Sequence, residues 1–348
     1  MPSPQKPPNS QITSWQCVIP IFFYSLPPCT SPYLPLPPFM NLSTTSKVLI
    51  QGISELSEHN YLAQMQAYGT NLAAIVSPGQ GGTSLEGVPV FDLVEQAVAA
   101  IHDLETTLIF SPAHEVLDAA LEAIDGGIRQ IIIITGGIPP LDIVRLLRKS
   151  RATATTVIGP GSPGMIIPDK LLLGVQNPHF FSPGGVAIVS CSSSLTYEVA
   201  TILTKAGLGV SFGLDLGRDN ILGTDFYQCL EFLKADPNSK VILLLDHSNS
   251  GNSNLCLDSS REVGKPIVAY VAGHLLPGEK QVPEIGSLIA SQFASTVATT
   301  SNARIKINNL KKAKIPVADY PQQIPDLIKK AISGKKITQI STAILNHL

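Results

Sequence analysis

The sequence lacks the signals of several large protein classes. Its five cysteines are widely spaced and form no CxxC pair, which argues against a disulfide framework or a zinc site and favours a reducing compartment. Lysine and arginine form no block and the formal net charge is −2, so charge gives no reason to expect a nucleic-acid partner. The apolar run at 18–24 is too short to span a bilayer. We therefore expect a cytoplasmic protein that holds no metal and binds neither nucleic acid nor membrane.

The first 39 residues differ in composition from the rest of the chain. Prolines crowd into them, and we expect residues 1–39 to be a disordered extension. Met40 stands just before the first strand-like segment, so we expect it to be the start of the native protein. The rest of the chain is long enough for two domains, and the overall hydrophobic content of 44% is enough for full cores.

From residue 45 onward, short apolar runs alternate with helical patterns. The isoleucine run at 131–134 is unbroken, which is typical of a parallel strand covered on both faces. The alternation predicts a doubly wound α/β domain over 45–165, with its ligand at the carboxyl ends of the strands. A stretch rich in proline and glycine predicts a linker over 166–184. The pattern then restarts and predicts a second α/β domain over 185–333, followed by a C-terminal tail over 334–348.

Seven short segments of the chain occur in the order that one enzyme family shows. They are 77–83, 87–91, 121–127, 137–139, 158–164, 192–198 and 223–226. On these segments the chain resembles the α subunit of succinyl-CoA synthetase (succinate–CoA ligase) from about residue 45 to about residue 333. The resemblance implies a Rossmann-like CoA-binding domain followed by a flavodoxin-like ligase domain. It also implies a β-subunit partner with an ATP-grasp domain and an NDP-forming reaction that passes through a phosphohistidine on α.

The resemblance places a CoA site in the loops after the first four strands. The first of these turns keeps one glycine, and Glu55 and Glu58 would face the CoA diphosphate with like charge. Gln80 stands where the family has a lysine, so a cation that would pair with phosphate is lost. Two interpretations stay open: a CoA pocket of weakened affinity, or a domain that keeps its turns for packing and binds no CoA. The residues assigned to this site are Gly52, Ser54, Pro78, Gly79, Gln80, Ser111, Pro112, Ala113, Gly137 and Ile138.

A serine-rich turn between a strand and a helix predicts a phosphate site. Hydroxyls and free backbone amides at a helix N-terminus favour an anion, and the turn offers Ser190, Ser192, Ser193 and Ser194. The family has an arginine at the position of Cys191, so the site predicted here carries less positive charge. Ordinary N-capping, which needs only one hydroxyl, is the alternative interpretation.

The histidine that carries the phosphoryl group in the family is absent from its expected loop, 278–290. The corresponding residue is Glu284, and a carboxylate carries a phosphoryl group only as a far more reactive acyl phosphate. His247 stands where the family has the glutamate that supports the phosphohistidine. Gly136 stands where the family tends to place another glutamate. The departures therefore cluster at the active-site positions while the turns of the scaffold remain.

Three functional hypotheses follow from this pattern. The first is an α-like subunit that binds CoA, a β-like ATP-grasp partner or both, with the phosphohistidine relay lost. The second is an active acyl-CoA ligase subunit whose relay is rearranged and uses His247 as the phosphoryl acceptor. The third is a module of the same fold that binds a small ligand other than CoA.

Overall fold

The computed structural model of the chain describes residues 45–53, 56–247, 263–273 and 302–345. All of them lie within one compact unit. The first seven strands are β1 (Lys47–Gln51), β2 (Leu72–Val76), β3 (Ser84–Leu85), β4 (Val88–Phe91), β5 (Leu104–Ile109), β6 (Gln130–Ile133) and β7 (Thr156–Ile158). They form one sheet in the order β3-β4-β2-β1-β5-β6-β7. Its neighbouring strands are parallel except β3 and β4, which are antiparallel.

Helices cover both faces of this first sheet. They are α1 (Leu56–Ala67), α2 (Val94–Ala100), α3 (Val116–Asp125) and α4 (Pro140–Ala152). Successive side chains of a strand point to opposite faces, and Ile132 accordingly belongs to one apolar cluster while Ile131 and Ile133 belong to the other. All three are 1% exposed or less. The unbroken isoleucine run is therefore explained by two covered faces, and the predicted α/β fold class is confirmed.

Seven further strands build a second sheet. They are β8 (Gly164–Ile167), β9 (Leu171–Gly174), β10 (Pro183–Ser190), β11 (Val210–Asp215), β12 (Val241–His247), β13 (Ile267–Ala272) and β14 (Val317–Ala318). Their order is β14-β13-β12-β10-β11-β8-β9. The helices that accompany them are α5 (Ser193–Lys205), α6 (Phe226–Ala235), α7 (Asn302–Lys312) and α8 (Ile324–Leu345).

The segment predicted as a linker, 166–184, contains regular structure. Strands β8 and β9 form an antiparallel hairpin, and β8 pairs with β11 at the edge of the second sheet. Leu171, Leu172 and Leu173 are 2% exposed or less, so the hairpin contributes to the core. A Cβ atom at Gly164 would collide with the carbonyl oxygen of Leu173. Glycine at this position therefore allows two strands to approach closely. A high content of proline and glycine by itself does not distinguish such a hairpin from a linker.

The C-terminal part also differs from the sequence-based expectation. Helix α8 continues to Leu345, through most of the range predicted as a tail, 334–348. Helix α7 forms in a polar stretch where the sequence analysis placed no element. Within the ranges described above, no helix combines the length and the apolar character needed to cross a bilayer.

Candidate functional site

The loops assigned to CoA meet at one edge of the first sheet. Strands β2, β1, β5 and β6 are consecutive neighbours, and the parallel pairing puts their carboxyl ends on the same side. Gly52 follows β1 with a φ of +78°, in the left-handed region that favours glycine. A Cβ atom there would collide with Oγ of Ser111 and would lie 2.5 Å from the Ser111 backbone nitrogen. The loop after β1 and the loop after β5 are therefore in contact, and only glycine fits at position 52.

A carboxylate of the chain itself occupies the second loop. The backbone amides of Gly79 and Gly81 both donate to Oδ1 of Asp92, at 2.8 and 2.9 Å. Gln80, between them, is exposed. The loop keeps its bent backbone, but two of its amides are bonded to an internal anion. Sequence reasoning missed Asp92, which lies eleven residues or more beyond the amides that it binds.

The remaining residues assigned to CoA lie on connected loops. The Thr135 hydroxyl donates to the backbone carbonyl of Ser111 at 2.8 Å, which joins the third loop to the fourth. Ile138 is 6% exposed, and Pro112 is exposed at the surface of the third loop. The amide of Gly137 donates to the carboxylate of Asp219, with distances of 3.0 and 3.3 Å to its two oxygens. This bond connects the fourth loop to the loop that follows β11 in the second sheet.

In the second sheet, a cavity of about 500 Å³ opens at the carboxyl ends of β10, β11 and β12. We call it the serine pocket. Its described lining residues are Cys191, Ser192, Ser193, Ser194, Tyr197, Arg218 and His247. Three of the four serines predicted for phosphate thus meet His247, which the sequence analysis singled out on separate grounds. Arg218 was not predicted, because no motif marks it in the sequence.

Ser190, the fourth predicted serine, is buried and is not among the described lining residues. It is 0% exposed, and its hydroxyl donates to the Ser192 carbonyl at 3.1 Å and accepts from the Ser192 amide at 3.0 Å. Ser192 itself is extended, with φ −149° and ψ 107°, and among the described residues its side chain makes no capping hydrogen bond to α5. Ser190 therefore fixes the turn from which Ser192, Ser193 and Ser194 line the pocket.

Asp215, at the end of β11, is a buried carboxyl beside the serine turn. Its residue is 0% exposed, and burial raises its pKa to about 7, against the opposing effects of the Gly217 amide, the Ser193 hydroxyl and the Arg218 charge. Oδ1 accepts from the Gly217 amide at 2.9 Å. Oδ2 has no hydrogen-bond partner in the part of the chain that the structure describes. A group with a pKa of about 7 therefore lies next to Ser193, which lines the pocket.

The backbone of His247 is held at both of its polar atoms. Its amide donates to Oδ1 of Asp246 at 2.8 Å, and its carbonyl accepts from Nζ of Lys306 at 2.8 Å. Lys306 and Asp246 form a salt bridge of 3.0 Å. Glu284, the position of the family phosphohistidine, lies outside the described residues, as does Ser54 of the CoA set. No group of three metal-ligating side chains occurs in the described ranges.

Both halves of the chain match known family models. Residues 43–137 match the CoA binding domain, and residues 183–312 match the succinyl-CoA ligase like flavodoxin domain. The succinate–CoA ligase [ADP-forming] subunit alpha 2 of Archaeoglobus fulgidus is 37% identical over 287 residues, which are 82% of this chain and 97% of that relative. The chain belongs to the succinate–CoA ligase α-subunit family. The resemblance found in the sequence is thereby confirmed.

A further relative supports this assignment, and two solved structures share the fold. The α subunit of Aquifex aeolicus succinate–CoA ligase [ADP-forming] is 34% identical to this family member over 82% of the chain and 92% of the relative. ATP citrate lyase from Methanothrix soehngenii, solved with citrate and coenzyme A, superposes with a TM-score of 0.72 at 19% identity over 86% of this chain. The chain spans 52% of that enzyme. It spans 59% of a dinucleotide-forming acetyl-coenzyme A synthetase from Ca. Korarchaeum cryptofilum, with a TM-score of 0.62 at 20% identity over 83% of the chain. These two likenesses concern the fold.

Proposed function

We propose that the chain is an α-like subunit that binds CoA and pairs with a β-like ATP-grasp partner, without a phosphohistidine relay through position 284. The contact between Gly52 and Ser111 carries the CoA part of the proposal. It preserves the close approach of two loops at the ligand-binding edge of a domain that matches CoA binding domains. The partner is proposed because the relatives named above are α subunits.

The proposed CoA affinity is weaker than a fully charged site would give. Asp92 holds the amides of Gly79 and Gly81, so these amides do not face an incoming phosphate. Gln80 is exposed in the same loop but carries no charge. A phosphate contact with a charged donor contributes about 1.5–3 kcal/mol more than none. We therefore propose that this loop recognises the shape of CoA and contributes little to the binding of its charged phosphates.

The serine pocket is proposed to bind an oxyanion. Helix α5 directs its N-terminus at this cavity, and partial positive charge at a helix N-terminus favours an anion. The hydroxyls of Ser192 and Ser194 supply further donors. Position 284 is a glutamate and has no imidazole that could accept a phosphoryl group. The proposed pocket therefore binds phosphate but does not pass a phosphoryl group to residue 284.

Calorimetric titration of the full chain with CoA tests the first part. We expect saturable binding with a Kd below roughly 1 mM. Millimolar or absent binding would remove CoA from the proposal and leave a module for another small ligand. Affinity purification from native cells should recover an ATP-grasp protein in an equimolar complex, and recovery of the chain by itself would contradict the partner. Incubation of the complex with ATP should give no acid-labile phosphoprotein.

A second candidate, an active ligase subunit, is favoured by one observation. His247 lines the same cavity as the three serines, so an imidazole and an oxyanion site are neighbours. Under this hypothesis His247 takes the phosphoryl group in place of residue 284. The complex would then acquire an acid-labile label from ATP, and His247→Asn would abolish it. His179, which is exposed near a different turn, offers the matched control, because His179→Asn should leave the label unchanged.

A further inference from the structure

Arg218 brings a guanidinium to the serine pocket. It is the only arginine or lysine among the described lining residues. It is exposed, and no carboxylate within the described ranges forms a salt bridge with it. Asp215 lies near enough for the Arg218 charge to lower its pKa, although burial dominates that group. The pocket therefore combines serine hydroxyls, a helix N-terminus and a cation that has no salt-bridge partner in the described chain.

The loop that carries Arg218 is anchored on both sides of it. The amide of Gly217 donates to Oδ1 of Asp215 at 2.9 Å. Gly217 has a φ of +112°, and a Cβ atom there would collide with the carbonyl oxygen of Pro160. On the other side, Asp219 accepts from the amide of Gly137 at 3.0 Å. Because the backbone on both sides of Arg218 is already held in place, less conformational freedom is lost when Arg218 binds a ligand.

We propose that Arg218 is the cation that recognises a tetrahedral, phosphate-type oxyanion in the serine pocket, and that Asp219 positions it through Gly137. This inference rests on the oxyanion pocket of the proposed function. A guanidinium offers five donors in a planar fork that matches two oxygens of a phosphate. The serine hydroxyls and the N-terminal amides of α5 supply donors from another direction. Together they surround an anion that has oxygens on several sides.

Calorimetric titration of the full chain with inorganic phosphate tests the role of Arg218. We expect Arg218→Met to weaken phosphate binding by about 10- to 100-fold, as the loss of one charged hydrogen-bond donor implies. Arg218→Lys should recover part of the affinity, because it restores the charge without the fork. Lys205→Met is the matched control. It removes one cation from the far end of α5, about 18 Å from the start of that helix, and should leave the affinity unchanged.

The outcomes separate the two proposals. If the wild-type chain does not bind phosphate, the oxyanion pocket itself fails and the role of Arg218 fails with it. If wild type and Arg218→Met bind phosphate equally, the pocket stands and the assignment of Arg218 is wrong. Succinate, whose carboxylate groups are planar, is titrated in parallel. Binding of succinate that depends on Arg218, without binding of phosphate, would overturn the tetrahedral preference.

Asp219 is tested as a positioning residue. Asp219→Ala removes the acceptor for the Gly137 amide and should weaken phosphate binding several-fold, whereas Asp219→Asn keeps an acceptor oxygen and should bind nearly as well as wild type. In an Arg218→Met background, Asp219→Ala should cause no further loss of phosphate affinity, because Asp219 is proposed to act only by positioning Arg218 against the phosphate. Full additivity of the two losses would contradict the positioning role.

Discussion

The ammonium of Lys306 lies 3.0 Å from a carboxylate oxygen of Asp246, and both residues are 4% exposed. The same ammonium donates to the carbonyl of His247, whose amide in turn donates to Asp246. A salt bridge buried to this degree brings α7 onto the end of β12, where His247 enters the serine pocket. The ammonium of Lys306 therefore holds the backbone of His247, a pocket residue 59 positions earlier in the chain.

Breaking this pair should be costly to stability. Lys306→Met removes the ammonium that pairs with the buried Asp246 carboxylate, and we expect a loss of about 3–5 kcal/mol in the free energy of unfolding. Urea denaturation measures it. The double variant Asp246→Leu with Lys306→Met removes both charges and should recover most of the loss. A double variant that is as unstable as the single one would show that the pair is not the cause.

The buried carboxyl of Asp215 makes stability depend on pH. Its pKa rises from 3.8 to about 7 on folding. The neutral form is favoured in the folded state, so its stabilising contribution is full below pH 3.8 and is lost as pH rises through about 7.

Asp215→Asn removes this dependence and keeps an acceptor for the Gly217 amide. Relative to wild type, the variant should gain about 1.4 kcal/mol per pH unit between pH 4 and 7, or roughly 4 kcal/mol in all. Urea denaturation of both proteins at several pH values from 4 to 8 measures the difference, and a difference that stays flat would contradict the raised pKa.

Two glycines with the same backbone conformation should respond differently to alanine. Gly52 and Gly79 have φ values of +78° and +81°. A Cβ atom would collide with Ser111 at Gly52 and would meet nothing within 4 Å at Gly79. We expect Gly79→Ala to lose about 1 kcal/mol from backbone strain alone, and Gly52→Ala to lose clearly more. Thermal denaturation ranks them, and CoA titration should show a larger drop for Gly52→Ala. Equal losses would mean that the contact with Ser111 is not tight.

A cation at position 80 should strengthen CoA binding. Gln80 is exposed in a loop whose shape is retained, so Gln80→Lys adds charge without disturbing packing. One exposed charge near a phosphate is expected to improve the affinity by a few-fold, with the gain shrinking as salt rises. Gln322→Lys, at an exposed position in a short turn before α8, is the matched control for net charge. An equal gain in both variants would point to non-specific attraction.

Strands β1, β2, β5, β6 and β7 of the first sheet were predictable, whereas the short strands β3 and β4 and the edge hairpin of the second sheet were not. A run such as 131–134 is apolar at every position, and only a strand covered on both faces accommodates this. The first and last residues of the β8–β9 hairpin, Gly164 and Gly174, are glycines that pair with each other, where the two strands approach closely. Glycine in sequence marks a turn or a close contact equally well, and the choice depends on the partner strand, which is distant in sequence.

The candidate site divides in the same way. Motif order predicted the serine turn and the loops assigned to CoA, because backbone turns require glycine or serine at fixed spacings. Asp92, Asp215, Arg218 and Asp219 were missed, because no motif marks them and their roles depend on which groups the fold brings near them. The resemblance places an arginine at 191 and a glutamate at 136. In the structure, Arg218 lines the pocket beside Cys191, and Asp219 lies against Gly136.

The sequence by itself determined the family, the two α/β domains in outline and the absence of histidine at position 284. Those properties are written in local patterns: apolar runs, turn residues and the identity of single side chains. Only the tertiary structure decided that three serines, His247 and Arg218 line one cavity and that Asp219 ties its rim to Gly137. The physical reason is that parallel strands bring their carboxyl ends to one edge, so residues far apart in the chain become neighbours there.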